Sequence, residues 1–346
     1  MKRLLIPLAA MLLLGGFASV AVAGDYHVGT SLICQDCHVA HGSMAHDYSV
    51  GAFPPMVPIG SAAPYEYLLR NEVNELCLTC HNGASFAPDV FGMNTGVAGH
   101  RLAGGLNSGD VAKLANDAGF EAIDGHTLWS TDVAPGGTFA EGGGLHCTNC
   151  HAQHGIATQY RNLLNRSSFS GKNVTYAVGV NDLTKDVYER SATAYTSADV
   201  DYNEPNTTNS AYGNWCGTCH TDFHGQGGAA NMGAQSGGQS VAGGEPWLRH
   251  PVADANIGSY ATHISSLARF NSRVNRVKVM DSQGLWDGTT ADNTVTPSCM
   301  SCHKSHGNKN GFGLIYLIGD GVNPVTEEGD GGLYKDLCRQ CHTQGG

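Results

Sequence analysis

Apolar positions are spread unevenly along this chain. One continuous run covers residues 4–22, follows Lys2 and Arg3, and closes on Ala21-Val22-Ala23. A charged n-region, an apolar h-region and an A-x-A-like site predict a secretory signal peptide over residues 1–23, with a mature chain starting near Gly24. No later segment approaches the roughly 18 apolar residues that a membrane span requires. Beyond the leader, apolar residues come in short patches, YEYLLR at 65–70, YRNLL at 160–164 and LIYLI at 314–318. No period-two alternation persists, which predicts little sheet, and only residues 71–76 and 108–118 carry a weak helical pattern. Stretches rich in Gly, Ser, Asn and Asp separate the patches at 92–109, 225–244 and 319–332. The expected fold class is mostly irregular and loop-rich, with short α-helices and little β.

Composition sharpens this reading. The chain has 47 Gly and 14% charged residues, against about 7% Gly and 25% charged in an ordinary domain. Long structureless loops inside a compact domain normally count against an assignment. They make sense if the chain wraps something it does not encode. All 12 Cys fall in six C-x-x-C pairs, and His follows each pair directly. C-x-x-C-H is the attachment signature of c-type haem. Six disulfides would place Cys at varied spacings, and zinc sites would not require His after every second Cys. The implied cofactors are six covalently bound haem c groups, attached through Cys34, Cys37, Cys77, Cys80, Cys147, Cys150, Cys216, Cys219, Cys299, Cys302, Cys338 and Cys341. About 323 mature residues leave about 54 per haem, too few for a conventional core. Stacked haems are the expected core of this multihaem c-type cytochrome.

The motifs alternate. The first, third and fifth read C-x-x-C-H-x-x-H, adding His41, His154 and His306, and the other three do not. Residues 24–346 therefore read as one hexahaem domain of three haem-pair units, about 24–130, 131–255 and 256–346. The motif residues His38, His81, His151, His220, His303 and His342 are the expected proximal iron ligands. Eleven other histidines remain for six opposite positions. A residue three beyond a proximal His is tethered to that side of its own haem, so His41, His154 and His306 should ligate other haems. For the second, fourth and sixth haems the candidates are His126, His146, His224 and His250, four residues for three places. His27 and His100 stand in reserve, and His46 and His263 read as surface residues. The acidic run Asp320, Glu327, Glu328 and Asp330 reads as a solvated loop ahead of a Ca²⁺ site.

Thirty acidic against 19 basic residues give a formal charge of −11, or about −13 without Lys2 and Arg3, which speaks against a nucleic-acid partner. A multihaem reductase needs an open iron, often marked by Lys in place of a motif His, and none of the six motifs is altered. Closed coordination leaves outer-sphere electron transfer, and no enzymatic activity is expected.

The segments CQDCHVAH preceded by His27, GGLHCTNCHAQHG with upstream APGGTF, WCGTCHTDFH followed by WLRHPV, CMSCHKSH and the closing DLCRQCH together resemble the OmcS-type hexahaem extracellular cytochromes that polymerise into conductive filaments. The likeness spans the mature chain at its motifs, while the intervening loops match poorly and are shorter here. It implies two imidazoles on every iron. It also implies that His41 leaves its own chain to bind the fifth haem of a neighbouring subunit, held there by Cys299, Cys302 and His303. Carried through the threefold repeat, His154 serves the first haem and His306 the third. The resemblance further implies a secreted, extracellular or cell-surface filament, with outer-membrane electron donors and extracellular acceptors as partners. A monomeric carrier in the periplasm or at the cell surface is the alternative.

Overall fold

The structure is a computed structural model that describes residues 27, 32–38, 66–91, 103–109, 124–137, 139–154, 159–165, 174, 187–188, 211–220, 256–258, 266–273, 276–281, 294–308, 310–315, 327 and 337–343. Regular elements among them are short: α1 Cys34–Cys37, α2 Val73–His81, α3 Ala211–Cys216, α4 Leu267–Asn271 and α5 Cys299–Cys302, with strands β1 Asn107–Ser108, β2 Asp124–Gly125, β3 Thr127–Leu128 and β4 Gly307–Asn308. None is long and apolar enough to cross a membrane, among the described residues.

Each motif forms a helical turn, and local chemistry explains why. Five of the six close on a bond from the motif His N–H to the first Cys carbonyl: His38 to Cys34 at 2.9 Å, His151 to Cys147 at 2.9 Å, His220 to Cys216 at 2.9 Å, His303 to Cys299 at 3.1 Å and His342 to Cys338 at 2.9 Å. His81 lies inside α2. In the odd motifs the turn begins at the first Cys. The second intervening residue caps it backwards, with Asp36 Oδ2 accepting from Ile33 N–H at 2.8 Å, Asn149 Oδ1 from His146 at 2.8 Å and Ser301 Oγ from Ser298 at 3.0 Å. A side-chain acceptor for an otherwise orphaned N–H is what a helix start needs. In the second and fourth motifs the helix starts earlier. There Thr79 and Thr218 hydroxyls donate back to the carbonyls of Glu75 at 3.0 Å and Trp215 at 2.8 Å.

The threefold repeat continues past the odd motifs. Each motif His pairs by an antiparallel bridge with a leucine: His38 with Leu69, His151 with Leu163 and His303 with Leu314. The following N–H donates to the second Cys carbonyl, Arg70 to Cys37 at 2.9 Å, Leu164 to Cys150 at 2.9 Å and Ile315 to Cys302 at 2.8 Å. Just before each leucine the chain makes a tight turn, at Glu66–Leu68, Tyr160–Asn162 and Gly311–Gly313. Its last two residues take positive φ: Tyr67 (56°) and Leu68 (60°), Arg161 (50°) and Asn162 (54°), Phe312 (61°) and Gly313 (65°). A non-glycine residue there costs about 1–2 kcal/mol, so a conformation repeated three times marks a position where the backbone is put to use. In the third unit the equivalent patch starts at Phe312, ahead of the LIYLI run.

A side-chain core is present among the described residues, beyond the stacked haems expected from the residue count per haem. Fifteen buried apolar residues, among them Phe270, Met280, Val279 and Ile315, form one cluster against which Cys216, Cys299, Cys302 and Cys341 pack. A smaller cluster of Leu78, Phe91 and Leu128 holds α2 and Cys147. Unequal distribution along the chain accounts for the difference, because most of the first cluster comes from residues 257–337. The weak helix expected from residue 108 is also corrected at its start: Ser108 is a strand residue paired in parallel with Leu128, while Asn107 N–H bonds the His126 carbonyl at 2.9 Å. Residues 110–118 lie outside the described residues.

The short ladder between β2 and β4, Asp124 with Asn308 and Gly125 with Gly307, carries His126 up to His306, whose carbonyl accepts the His126 N–H at 2.9 Å. Gly125 permits this approach. A Cβ there would sit 2.6 Å from the His306 carbonyl oxygen.

Candidate haem-ligating site

The turns present each pair of thiols three residues apart, on one helix face, with the motif His immediately after. All 12 cysteines are free of disulfides. No group of three or more His, Cys, Asp or Glu converges as a bare ion would require, among the described residues.

Opposite the motif histidines stand other histidines. Ring centroids are 5.9 Å apart for His38 and His154, 6.1 Å for His81 and His27, 6.4 Å for His151 and His306, and 6.0 Å for His220 and His126. These spacings are too wide for a direct hydrogen bond between ring nitrogens. A ligating imidazole nitrogen lies about 2 Å from its metal and about 1.1 Å from its own ring centroid, so two imidazoles on opposite sides of one ion stand about 6.2 Å apart. The donor set therefore fits an iron held axially by two histidines, with thioether bonds at its edge. Pairs of this kind are described for four of the six motif histidines.

Backbone carbonyls orient the rings. His38 Nδ1 donates to Tyr67 O at 3.0 Å, His151 to Arg161 O at 3.0 Å and His303 to Phe312 O at 2.7 Å. All three acceptors are the first left-handed residue of the repeated turn, which is the use of that strained backbone. His81 donates to Pro88 O at 2.9 Å and His220 to Pro135 O at 2.7 Å. A carbonyl on Nδ1 fixes the tautomer and leaves Nε2 as the lone-pair donor, the usual outer support of a ligating His.

The opposite rings are placed by the C-H-x-x-H peptides. Gln153 O accepts from His27 Nδ1 at 3.3 Å, and Ser305 O accepts from His126 Nδ1 at 2.6 Å. Gln153 and Ser305 directly precede His154 and His306. Each of these peptides thus supplies one histidine to the odd site of the preceding unit and one carbonyl to its even site. Desolvation by the surrounding chain lowers the pKa of His27, His126, His151 and His303 below the usual imidazole value, although His126 and His303 are themselves exposed. His306 is drawn down to about 3 by burial and then by His151, His126 and His81. Neutral imidazole, the ligating form, is therefore the form these rings take at pH 7.

Neighbouring sites adjoin in chain order. Cys37 lies near Cys77 and Cys80, and Cys77 lies near Cys147. Asn74 ties those last two motifs together: its Oδ1 accepts from Cys147 N–H at 3.0 Å, and its Nδ2 donates to Leu145 O at 3.0 Å. Trp215 Nε1 donates to Leu164 O at 3.0 Å, joining the fourth motif to the third. His303 is close enough to His220 to be affected by its charge, and Cys302 to Cys341 and Cys338.

Sequence reasoning placed some of these residues differently. His27, held in reserve, is the ring facing His81. His146 is not brought to a motif His: its Nδ1 meets the Thr148 hydroxyl at 2.7 Å, and its Nε2 faces Glu141 at 3.9 Å. His41, His46, His100, His224, His250 and His263 lie outside the described residues. Glu327 is not solvated, and Asp320, Glu328 and Asp330 of the same acidic run lie outside the described residues. The Glu327 carboxylate is buried against Lys278 at 2.5 Å and Lys304 at 3.9 Å. Asn74, the carbonyls of the strained turns and these two lysines escaped the sequence reading, and only the position of Lys304 inside a motif could have flagged it.

No protein-family model matches the chain. The c-type cytochrome OmcS of Geobacter sulfurreducens is 26% identical over an alignment of 368 residues, covering 88% of this chain and 82% of that relative. Two solved structures of OmcS filaments from the same organism match at 19% identity. One covers 89% of this chain and 93% of its own with a TM-score of 0.38, and the other 80% and 81% with a TM-score of 0.37. Scores at that level carry no information on how the chain is arranged. The sequence likeness does not depend on them, and across most of its length the chain resembles an OmcS-type c-type cytochrome.

Proposed function

We propose that this chain is an extracellular electron-transfer protein with six covalently attached haem c groups, each iron between two imidazoles, that polymerises head to tail into a conductive filament. The observation that carries the reading is the backward reach of the C-x-x-C-H-x-x-H histidines. His154 of the second unit faces His38 of the first, and His306 of the third faces His151 of the second. His41 belongs to the first unit. By the likeness to OmcS-type filaments it serves the last unit of another copy and supplies the ligand opposite His303. A contact of this kind does not close on itself, and it generates an open polymer.

When bound, each haem supplies a reversible one-electron couple whose potential depends on axial ligands and burial. The chain holds and orients. Twelve thiols anchor the sites, carbonyls fix the motif rings, and Asn74, Trp215 and the β2–β4 ladder keep successive sites together. Residues 24–346 act as one domain of three units, about 24–130, 131–255 and 256–346, with residues 1–23 as the export signal. His27 and His126 fill the second and fourth sites, and His224 or His250 the sixth. Outer-membrane donors load the filament, and extracellular acceptors discharge it. The 26% identity to OmcS over most of the chain supports the family part of this reading.

His41→Ala tests it. Negative-stain microscopy of the secreted, haem-loaded protein should show filaments for the natural chain and soluble monomers for the variant, with one haem in six spectrally altered. Normal filaments from the variant, or monomers from both, would overturn the assembly.

A further inference from the structure

The position after the motif His is apolar in the first and third motifs, Val39 and Ala152, and is Lys304 in the fifth. Lys304 is nonetheless buried, at 5% exposure. A lysine buried where the repeat tolerates Val or Ala costs free energy that an apolar residue would not, so its charge has a use there. It is held in a closed cluster. Glu327 forms an ion pair with Lys278 at 2.5 Å through one oxygen and faces Lys304 at 3.9 Å with the other, and all three side chains are 2–4% exposed. The Lys304 ammonium also sits 5.6 Å from the Tyr188 ring centroid. Tyr188 in turn accepts from Ser305 N–H at 2.7 Å and donates to His303 O at 3.0 Å, pinning the peptide that carries the lysine.

That peptide is a junction. His303 is the motif ligand of the fifth site, Ser305 O orients His126 of the fourth, and His306 faces His151 of the third. Two lysines and one carboxylate leave one net positive charge beside all three. We propose that the Lys278–Glu327–Lys304 cluster sets reduction potential, stabilising the electron-carrying form of the fifth haem most and of the third and fourth haems less. The inference rests on the haem assignment above. The role assigned to Lys304 and its partners is to position charge. One unit charge about 10 Å away in a medium of effective dielectric constant about 20 shifts an equilibrium by over tenfold.

Lys304→Met and Lys278→Met each remove one positive charge and leave a neutral pair. Both full-length, haem-loaded variants are titrated potentiometrically beside the natural protein, and haem is counted by pyridine haemochrome absorbance. In each variant at least one couple should move to lower potential by about tenfold in its reduced-to-oxidised ratio, about 59 mV for one electron, with haem count and low-spin spectra unchanged. Unaltered potentials in both variants would overturn the proposal. Loss of haem from both would also overturn it, by assigning the cluster a structural role. Absence of haem from the natural protein would instead sink the haem assignment itself, a separate result.

Discussion

Replacing Asn74 by Ala removes two side-chain hydrogen bonds to the backbone at one point, and their costs differ. Asn74 is 1% exposed, and its Oδ1 is the acceptor that serves the Cys147 N–H, at 3.0 Å. Leaving that donor without a partner costs about 1–3 kcal/mol. The Leu145 carbonyl loses the Asn74 amide but still accepts from Trp129 N–H at 2.8 Å, so that loss is the net value of a hydrogen bond, about 1 kcal/mol. Together Asn74→Ala should destabilise the chain by about 2–4 kcal/mol, and with a urea slope of about 3 kcal/mol/M its midpoint falls by about 0.7–1.3 M. Circular dichroism of the haem-loaded protein reads this directly. Asn74→Asp adds a pH signature. A protonated carboxyl reproduces both bonds, whereas a carboxylate is buried against a carbonyl, so the folded-state pKa of this Asp is raised. Its stability contribution is therefore present below the unfolded value of about 3.9 and lost as pH rises. The Asp variant should match the natural protein at pH 3.5 and the Ala variant at pH 7. An Ala variant with an unmoved midpoint, or an Asp variant indifferent to pH, would refute the reasoning.

Gly125→Ala should disturb two sites at once, because the new Cβ meets the His306 carbonyl and Gly307 Cα at 2.6 and 2.8 Å. Optical and paramagnetic spectra should show two altered haems in six with a stability loss of about 1–3 kcal/mol; wild-type spectra would contradict this. Burial raises the Tyr188 pKa well above its ordinary value. Its contribution is present below the unfolded pKa of about 10 and is lost as pH rises beyond it. Above that pH the natural protein should lose up to about 1.4 kcal/mol per pH unit more than Tyr188→Phe; parallel urea-midpoint curves for the two would argue against that burial.

What was legible in the sequence was what local chemistry decides. A C-x-x-C-H turn is closed by its own backbone, and Asp36, Asn149 and Ser301 cap it from within the motif. The loop-rich architecture followed from glycine content and the lack of sustained periodicity. Ring partners were harder, because a ring that faces a motif His comes from wherever the chain returns. His146 sits beside Cys147 in sequence, yet its ring turns to Thr148 and Glu141, while distant His27 faces His81. Left-handed Tyr67-Leu68 and Phe312-Gly313 gave little warning, since only Gly313 favours that conformation intrinsically. Glu327 read as solvated because its flanks are acidic and glycine-rich. Its lysines come from elsewhere in the fold, and no local pattern announces them.

The central claim is that iron is held between imidazoles drawn from successive units, and that His41 extends this rule to the next molecule. A cryo-EM map of the secreted, haem-loaded protein tests it most directly. The account predicts His154 opposite His38, His306 opposite His151, and His41 of one copy opposite His303 of the next, along a continuous fibre. Water or methionine on any of these three irons, or His154 and His306 bound within their own units, would contradict it.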